Sequence, residues 1–170
     1  MVKKNLVLLG MMTVGKTTLG KIVAKNLGLS FVDTDKYIEK KNSMTVKEIF
    51  EKKGENFFRA QEKKGILEIL KRNECVISLG GGAFINKILR NSILKNCISV
   101  WLDLDIKTLN DRTKWNQKRP LLKKTNNFET IKYIYAKRQN IYKMANHKVL
   151  CDNLTKKKIA SKIESIYEKY

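Results

Sequence analysis

Residues Gly10 to Thr17 read GMMTVGKT, which satisfies G-x-x-x-x-G-K-[ST] between a short apolar run and a segment of helical period. A loop of this kind turns backbone N–H groups inward around phosphate oxygens. Lys16 then places a compact positive charge on the β- and γ-phosphates, and the Thr17 hydroxyl offers a hard oxygen to Mg2+. Thr13, Val14, Gly15 and Thr18 complete the expected nucleotide contacts. A second cluster follows at Val32-Asp33-Thr34-Asp35. Two carboxylates two residues apart share one face of a strand, and at the carboxyl end of a doubly wound sheet that face opens on the ligand crevice. One can orient water around a metal ion while the other receives a substrate hydroxyl; alternatively, Asp35 only caps the next helix. Together the clusters point to binding of a nucleoside triphosphate, with phosphoryl transfer as the chemistry.

The surrounding elements fit that task. Leu6–Leu9 predicts a buried strand, Thr17–Asn26 a helix and Leu29–Val32 a second strand, the alternation that marks a parallel sheet. Thr45 and Glu48 form a capping box that opens a helix running to about Lys52, and Gly54 punctuates before a second helical stretch, Glu55 to about Lys71. Further strands are expected at Cys75–Leu79, Ile98–Leu102 and near Lys148–Cys151, with helices over Lys87–Leu94 and from about Thr155. Between Asp111 and Asn127 the only proline, Pro120, sits among Lys, Arg, Asn and Gln, so this polar stretch reads as a surface flap.

At 170 residues, with 42% hydrophobic and 31% charged, the chain is expected to form one domain with a real core. The apolar run in MVKKNLVLLG is too short for a secretion signal, and no stretch has the ~18 apolar residues of a membrane span. A cytoplasmic location, no membrane partner and a monomeric state are therefore expected. Cys75, Cys97 and Cys151 lie far apart at the edges of apolar runs and read as structural thiols. His147 is the single histidine, which excludes a His-pair metal site and histidine-based catalysis. The formal charge of +20 raises a nucleic-acid-binding reading. The lysines are spread along the whole chain, however, so a solvated basic surface that attracts anionic ligands, without specific nucleic-acid binding, is the better expectation.

Beyond the first two motifs the sequence resembles the shikimate kinase family. The resemblance is carried by the P-loop, Asp33-Thr34-Asp35, Gly54-Glu55-x-Phe57-Phe58-Arg59-x-x-Glu62, Gly80-Gly81-Gly82, Arg119-Pro120-Leu121-Leu122, and Arg138 followed by Tyr142, in that order over almost the whole chain. It implies a three-layer α/β/α sandwich of the P-loop NTPase, nucleoside-monophosphate-kinase-like type, with a five-stranded parallel sheet in the order 2-3-1-4-5. It also implies a substrate-binding helical segment at about 35–62 and a lid at about 112–127. The implied reaction moves the γ-phosphoryl group of ATP to the 3-hydroxyl of shikimate, in aromatic amino acid biosynthesis.

Carried over by residue, the resemblance implies that Thr17 and Asp33 serve Mg2+ and Lys16 the phosphates. Asp35 would bind the ring hydroxyls and act as base or orienter, Arg59 and Arg138 would clamp the carboxylate, and Gly80, Gly81 and Gly82 would approach the ring. Glu62 would hold the arginines, Arg119 would reach the transferring phosphoryl group from the lid, and Arg112 would lie beside the adenine. In so Lys-rich a chain, arginines suit these sites because a planar guanidinium pairs bidentately with carboxylate or phosphate. The chain departs from the family's pattern at Thr13, where glycine or a small residue is usual, and in Asp152–Lys156, which lacks an arginine that many relatives place against the adenine. The alternatives are another small P-loop kinase, acting on gluconate or a nucleotide, and a basic nucleic-acid-binding protein.

Overall fold

The computed structural model describes residues 4–114 and 127–170. In chain order the elements are β1 (Asn5–Leu9), α1 (Lys16–Leu27), β2 (Ser30–Asp33), α2 (Thr34–Asn42), α3 (Val46–Ile69), β3 (Cys75–Ser78), α4 (Lys87–Asn96), β4 (Cys97–Asp103), α5 (Ile106–Lys114), α6 (Asn127–Tyr142), β5 (His147–Leu150) and α7 (Lys156–Tyr167). All five strands are parallel, in the order β2-β3-β1-β4-β5. Every residue of β1, β3 and β4 is buried, as an interior strand covered on both faces requires, whereas the edge strands β2 and β5 are partly exposed. Helix α1 packs on β1, β2 and β3 and against α7, while α4 packs on β4 and meets α3. The sheet is thus flanked by helices in the three-layer arrangement.

The main core runs through the sheet and includes Leu6, Leu8, Ile77, Trp101 and Tyr142. A smaller cluster of Ile38, Ile49 and Phe58, with Met44, Val46 and Phe50 against it, holds α2 to the first part of α3. The capping box forms as expected: Glu48 N–H donates to Thr45 Oγ1 at 3.2 Å and Thr45 N–H to Glu48 Oε2 at 2.8 Å. As expected, Gly54 divides α3 into two helical stretches, its φ 83° and ψ 169° being non-helical and a conformation that glycine adopts without a Cβ penalty.

One expectation needs correction. Asp33 and Asp35 do not share a strand face, because β2 ends at Asp33 and the chain enters α2 at Thr34. Asp33 is the N-cap, extended at φ −97° and ψ 120°, and its Oδ1 accepts from Lys36 N–H at 3.2 Å. Asp35 lies in the first helical turn, where a carboxylate suits the positive end of the helix dipole. The helices α5 and α6 were not foreseen. The flap expected near 112–127 lies mostly outside the described residues, as do Arg119 and Pro120.

The three cysteines are buried and free, and burial pushes the Cys97 and Cys151 thiols up to about 11, which leaves them inert near neutrality. His147 sits on β5, its Nε2 2.8 Å from the Tyr170 hydroxyl. Among the described residues, no helix is long and apolar enough to cross a membrane.

Candidate active site

The carboxyl ends of β1, β2 and β3 converge on a cavity of about 310 Å³ lined by Thr13, Gly15, Lys16, Thr17, Thr18, Asp33, Asp35, Ser78, Gly80, Gly81 and Arg112. The phosphate loop leaves β1 and enters α1 through Gly15 at φ 105°. The buried Lys16 ammonium donates to Gly10 O at 2.9 Å and Met11 O at 2.8 Å, which fixes it against the loop. Thr17 Oγ1 donates to Asp33 Oδ2 at 2.6 Å, and Ser78 Oγ lies 3.4 Å from the same hydroxyl. The two oxygens of Asp33 therefore divide their work, one capping α2 and the other meeting Thr17.

A narrower cleft adjoins this cavity, lined by Met12, Val46, Phe50, Phe58, Arg59, Glu62, Gly82 and Arg138, and it shares Asp35 and Gly81 with the larger one. Asp35 thus stands at the junction of the phosphate-loop cavity and the arginine-lined cleft. Arg59 Nη1 donates to Glu62 Oε2 at 2.8 Å, while its Nε and Nη2 each lie 3.2 Å from Glu55 Oε1. Burial holds the Glu62 carboxyl above its ordinary range and Asp35 adds to the shift, against the pull of Arg59 and Arg138. The nearly buried Glu62 carboxylate orients Arg59 through the bond from Nη1, and Arg138 lines the same cleft, so two guanidinium groups are available there to an anion.

The side chains of the site crowd the glycine loop. A Cβ at Gly80 would come within 2.7 Å of Asp35 Oδ1 and 3.1 Å of Glu62 Oε1; one at Gly82 would lie 2.7 Å from Arg59 Nη1. The loop is held from behind by Tyr142, whose hydroxyl donates to Gly81 O and whose ring packs 6.0 Å from Trp101.

Arg112 lines the phosphate cavity and also a further hollow of about 450 Å³ between α5 and the loop after β5, formed with Leu104, Asp105, Thr108, Cys151, Asp152, Asn153 and Leu154. Among the residues expected from the sequence, the structure therefore places all in these cavities except Val14, which is buried in the phosphate loop, and Arg119, which is outside the described residues. Sequence reasoning missed Met12, Val46, Phe50 and Ser78 as lining residues, and Phe58 and Tyr142 carried no task. Phe50 and Phe58 meet at 4.8 Å across the Gly54 kink, a contact that helical spacing alone does not announce.

A P-loop on a 2-3-1-4-5 sheet, opening beside a cleft lined with arginines and a carboxylate, defines a P-loop kinase of a small acceptor. The family profile described as shikimate kinase matches residues 12–168. A shikimate kinase from Sulfurihydrogenibium sp. (strain YO3AOP1) is 44% identical over 160 residues, covering 94% of this chain and 95% of that one. The solved structure of shikimate kinase from Acinetobacter baumannii in complex with shikimate superimposes with a TM-score of 0.94 at 31% identity, over 98% of this chain and 94% of that one. A gluconokinase from Sinorhizobium meliloti 1021 shares the fold alone, with a TM-score of 0.66 at 13% identity. The chain belongs to the shikimate kinase family.

Proposed function

We propose that this chain carries out its family's reaction, moving the γ-phosphoryl group of ATP onto the 3-hydroxyl of shikimate, with Asp35 at the transfer point. The observation that carries this reading is that Asp35 lines both the phosphate cavity and the acceptor cleft. A hydroxyl bound in the cleft beside Asp35 faces the cavity in which Lys16 holds the phosphates. Asp35 orients that hydroxyl and receives its proton, and phosphoryl transfer then needs mainly alignment and charge neutralisation. Arg59 and Arg138, steadied by Glu62, clamp the substrate carboxylate, while Gly80, Gly81 and Gly82 let the ring approach the backbone.

Thr17 Oγ1 and Asp33 Oδ2, hard oxygens 2.6 Å apart at the phosphate cavity, fit Mg2+, which keeps several waters and takes few protein ligands. Mg2+ bound with ATP supplies charge neutralisation at the β- and γ-phosphates. Thr13, Val14, Gly15 and Thr18 wrap the phosphates, and Arg112 reaches toward the base from α5. Arg119, outside the described residues, is the residue that the family resemblance assigns to the transferring phosphoryl group. We place the protein in the cytoplasm as a monomer, with ATP and shikimate as its partners.

The test is ATP- and Mg2+-dependent ADP release with shikimate, run beside quinate, gluconate and AMP and repeated with Asp35→Asn. Turnover with shikimate, abolished in the variant, is the expected result. Turnover with another acceptor, or an active Asp35→Asn enzyme, would overturn the assignment of the cleft.

A further inference from the structure

Thr13 stands at the tip of the phosphate loop with φ 63°, in the left-handed region that β-branched residues avoid. Its hydroxyl lies between two carbonyls, Met12 O at 2.6 Å and Leu109 O of α5 at 3.4 Å. From the other side, Arg112 Nη1 on α5 faces Thr13 O and Val14 O, each at 3.4 Å. Three contacts therefore run between the loop tip and one turn of α5. Two of the partners are backbone carbonyls of the loop itself, so the loop's position sets where the Arg112 guanidinium lies.

A glycine would meet the backbone geometry of the loop with less strain, but it offers no hydroxyl to α5. Strained residues persist where their surroundings over-determine them and a task depends on them. We propose that Thr13 is a positioning residue for the nucleoside diphosphate portion of the substrate: its side chain ties the phosphate loop to α5 and thereby presets Arg112 between the phosphate cavity and the hollow beside β5. The inference rests on the nucleotide site proposed above, and not on the identity of the acceptor.

Calorimetric titration with Mg·ADP tests it without any acceptor. Thr13→Ala, which loses the hydroxyl, weakens ADP binding by about fivefold, the size of one modest hydrogen bond, and Thr13→Ser restores most of the loss. Thr13→Gly raises Tm by about 2–4 °C through relief of strain yet also binds ADP more weakly, so stability and affinity move in opposite directions. In turnover the loss falls on KM for ATP and spares KM for shikimate. Unchanged ADP affinity in Thr13→Ala, or a Thr13→Ser protein as weak as Thr13→Ala, would overturn the inference. Tight ADP binding without shikimate turnover would count against the acceptor assignment and leave Thr13 in place, whereas a wild-type protein that does not bind ADP would remove both.

Discussion

Tyr142 donates its hydroxyl hydrogen to the carbonyl of Gly81, joining the end of α6 to a loop 61 residues earlier in the chain. Arg138 lies one turn before Tyr142 on the same helix, so α6 both supplies a guanidinium to the cleft and fixes the loop opposite it. Tyr142→Phe keeps the buried ring against Trp101 but leaves a carbonyl unpaired, at a cost of about 1 kcal/mol. The expected result is a KM for shikimate raised about fivefold, with KM for ATP changed less, measured by steady-state kinetics at varied acceptor.

Gly82 has an ordinary backbone, φ −94° and ψ −15°, so alanine fits there without backbone strain. Its Cβ would instead press on the Arg59 guanidinium, 2.7 Å from Nη1 and 3.0 Å from Nη2. The tip of a flexible side chain can move aside cheaply, but a displaced Arg59 no longer clamps. Gly82→Ala should keep Tm within a few degrees and raise KM for shikimate about tenfold or more, the cost of misplacing a charged contact. A wild-type KM in a folded variant would remove Arg59 from the carboxylate site.

One oxygen of Asp33 caps α2 and the other meets Thr17. Asn caps helices as well as Asp does, so Asp33→Asn retains the bond from Lys36 N–H but loses the charge beside Thr17. Its Tm should match that of the wild type while Mg2+-dependent turnover falls about 100-fold. Asp33→Ala also loses the cap, worth about 1 kcal/mol, and should melt about 2–4 °C lower.

The buried Glu62 carries a pH signature. Its folded-state carboxyl lies above the ordinary value of 4.5, so its contribution to stability is full below that value and is lost as pH rises through the raised one. Glu62→Gln removes the titration, and the Tm of the variant relative to wild type should climb as pH goes from about 4 to about 7. Activity moves the other way: when wild-type Glu62 gains its proton on the acid side, Arg59 loses its ionised partner and KM for shikimate rises. That acid limb should be absent from Glu62→Gln, whose KM is raised at every pH.

The parts of this architecture set by local chemistry were legible in the sequence. β1 and β4 announce themselves as continuous apolar runs because both faces of an interior strand are covered, and the Thr45–Glu48 box depends only on residues three apart. The Asp33–Asp35 pair misled because the backbone changes period at Asp33, where strand alternation gives way to helix. Helix α6 escaped notice for a different reason. Ile131, Ile134, Tyr135 and Tyr142 do share one face, against the main core, but Arg138 interrupts that face and Tyr133 stands exposed on the opposite one, which blurs the apolar stripe. The hydrogen bond from Tyr135 to Asp103, which fastens α6 to the end of β4, and the ion pair of Lys148 on β5 with the same carboxylate join residues that nothing local relates.

The small cluster of Ile38, Ile49 and Phe58 lies apart from the core under the sheet. A change of side-chain volume there is absorbed within α2 and the first part of α3, where Val46, Phe50 and Phe58 also face the acceptor. Repacking a handful of residues there can therefore reshape this cleft with little effect on the sheet that carries the phosphate loop. On such a scaffold the nucleotide half holds its shape while the acceptor half can be repacked.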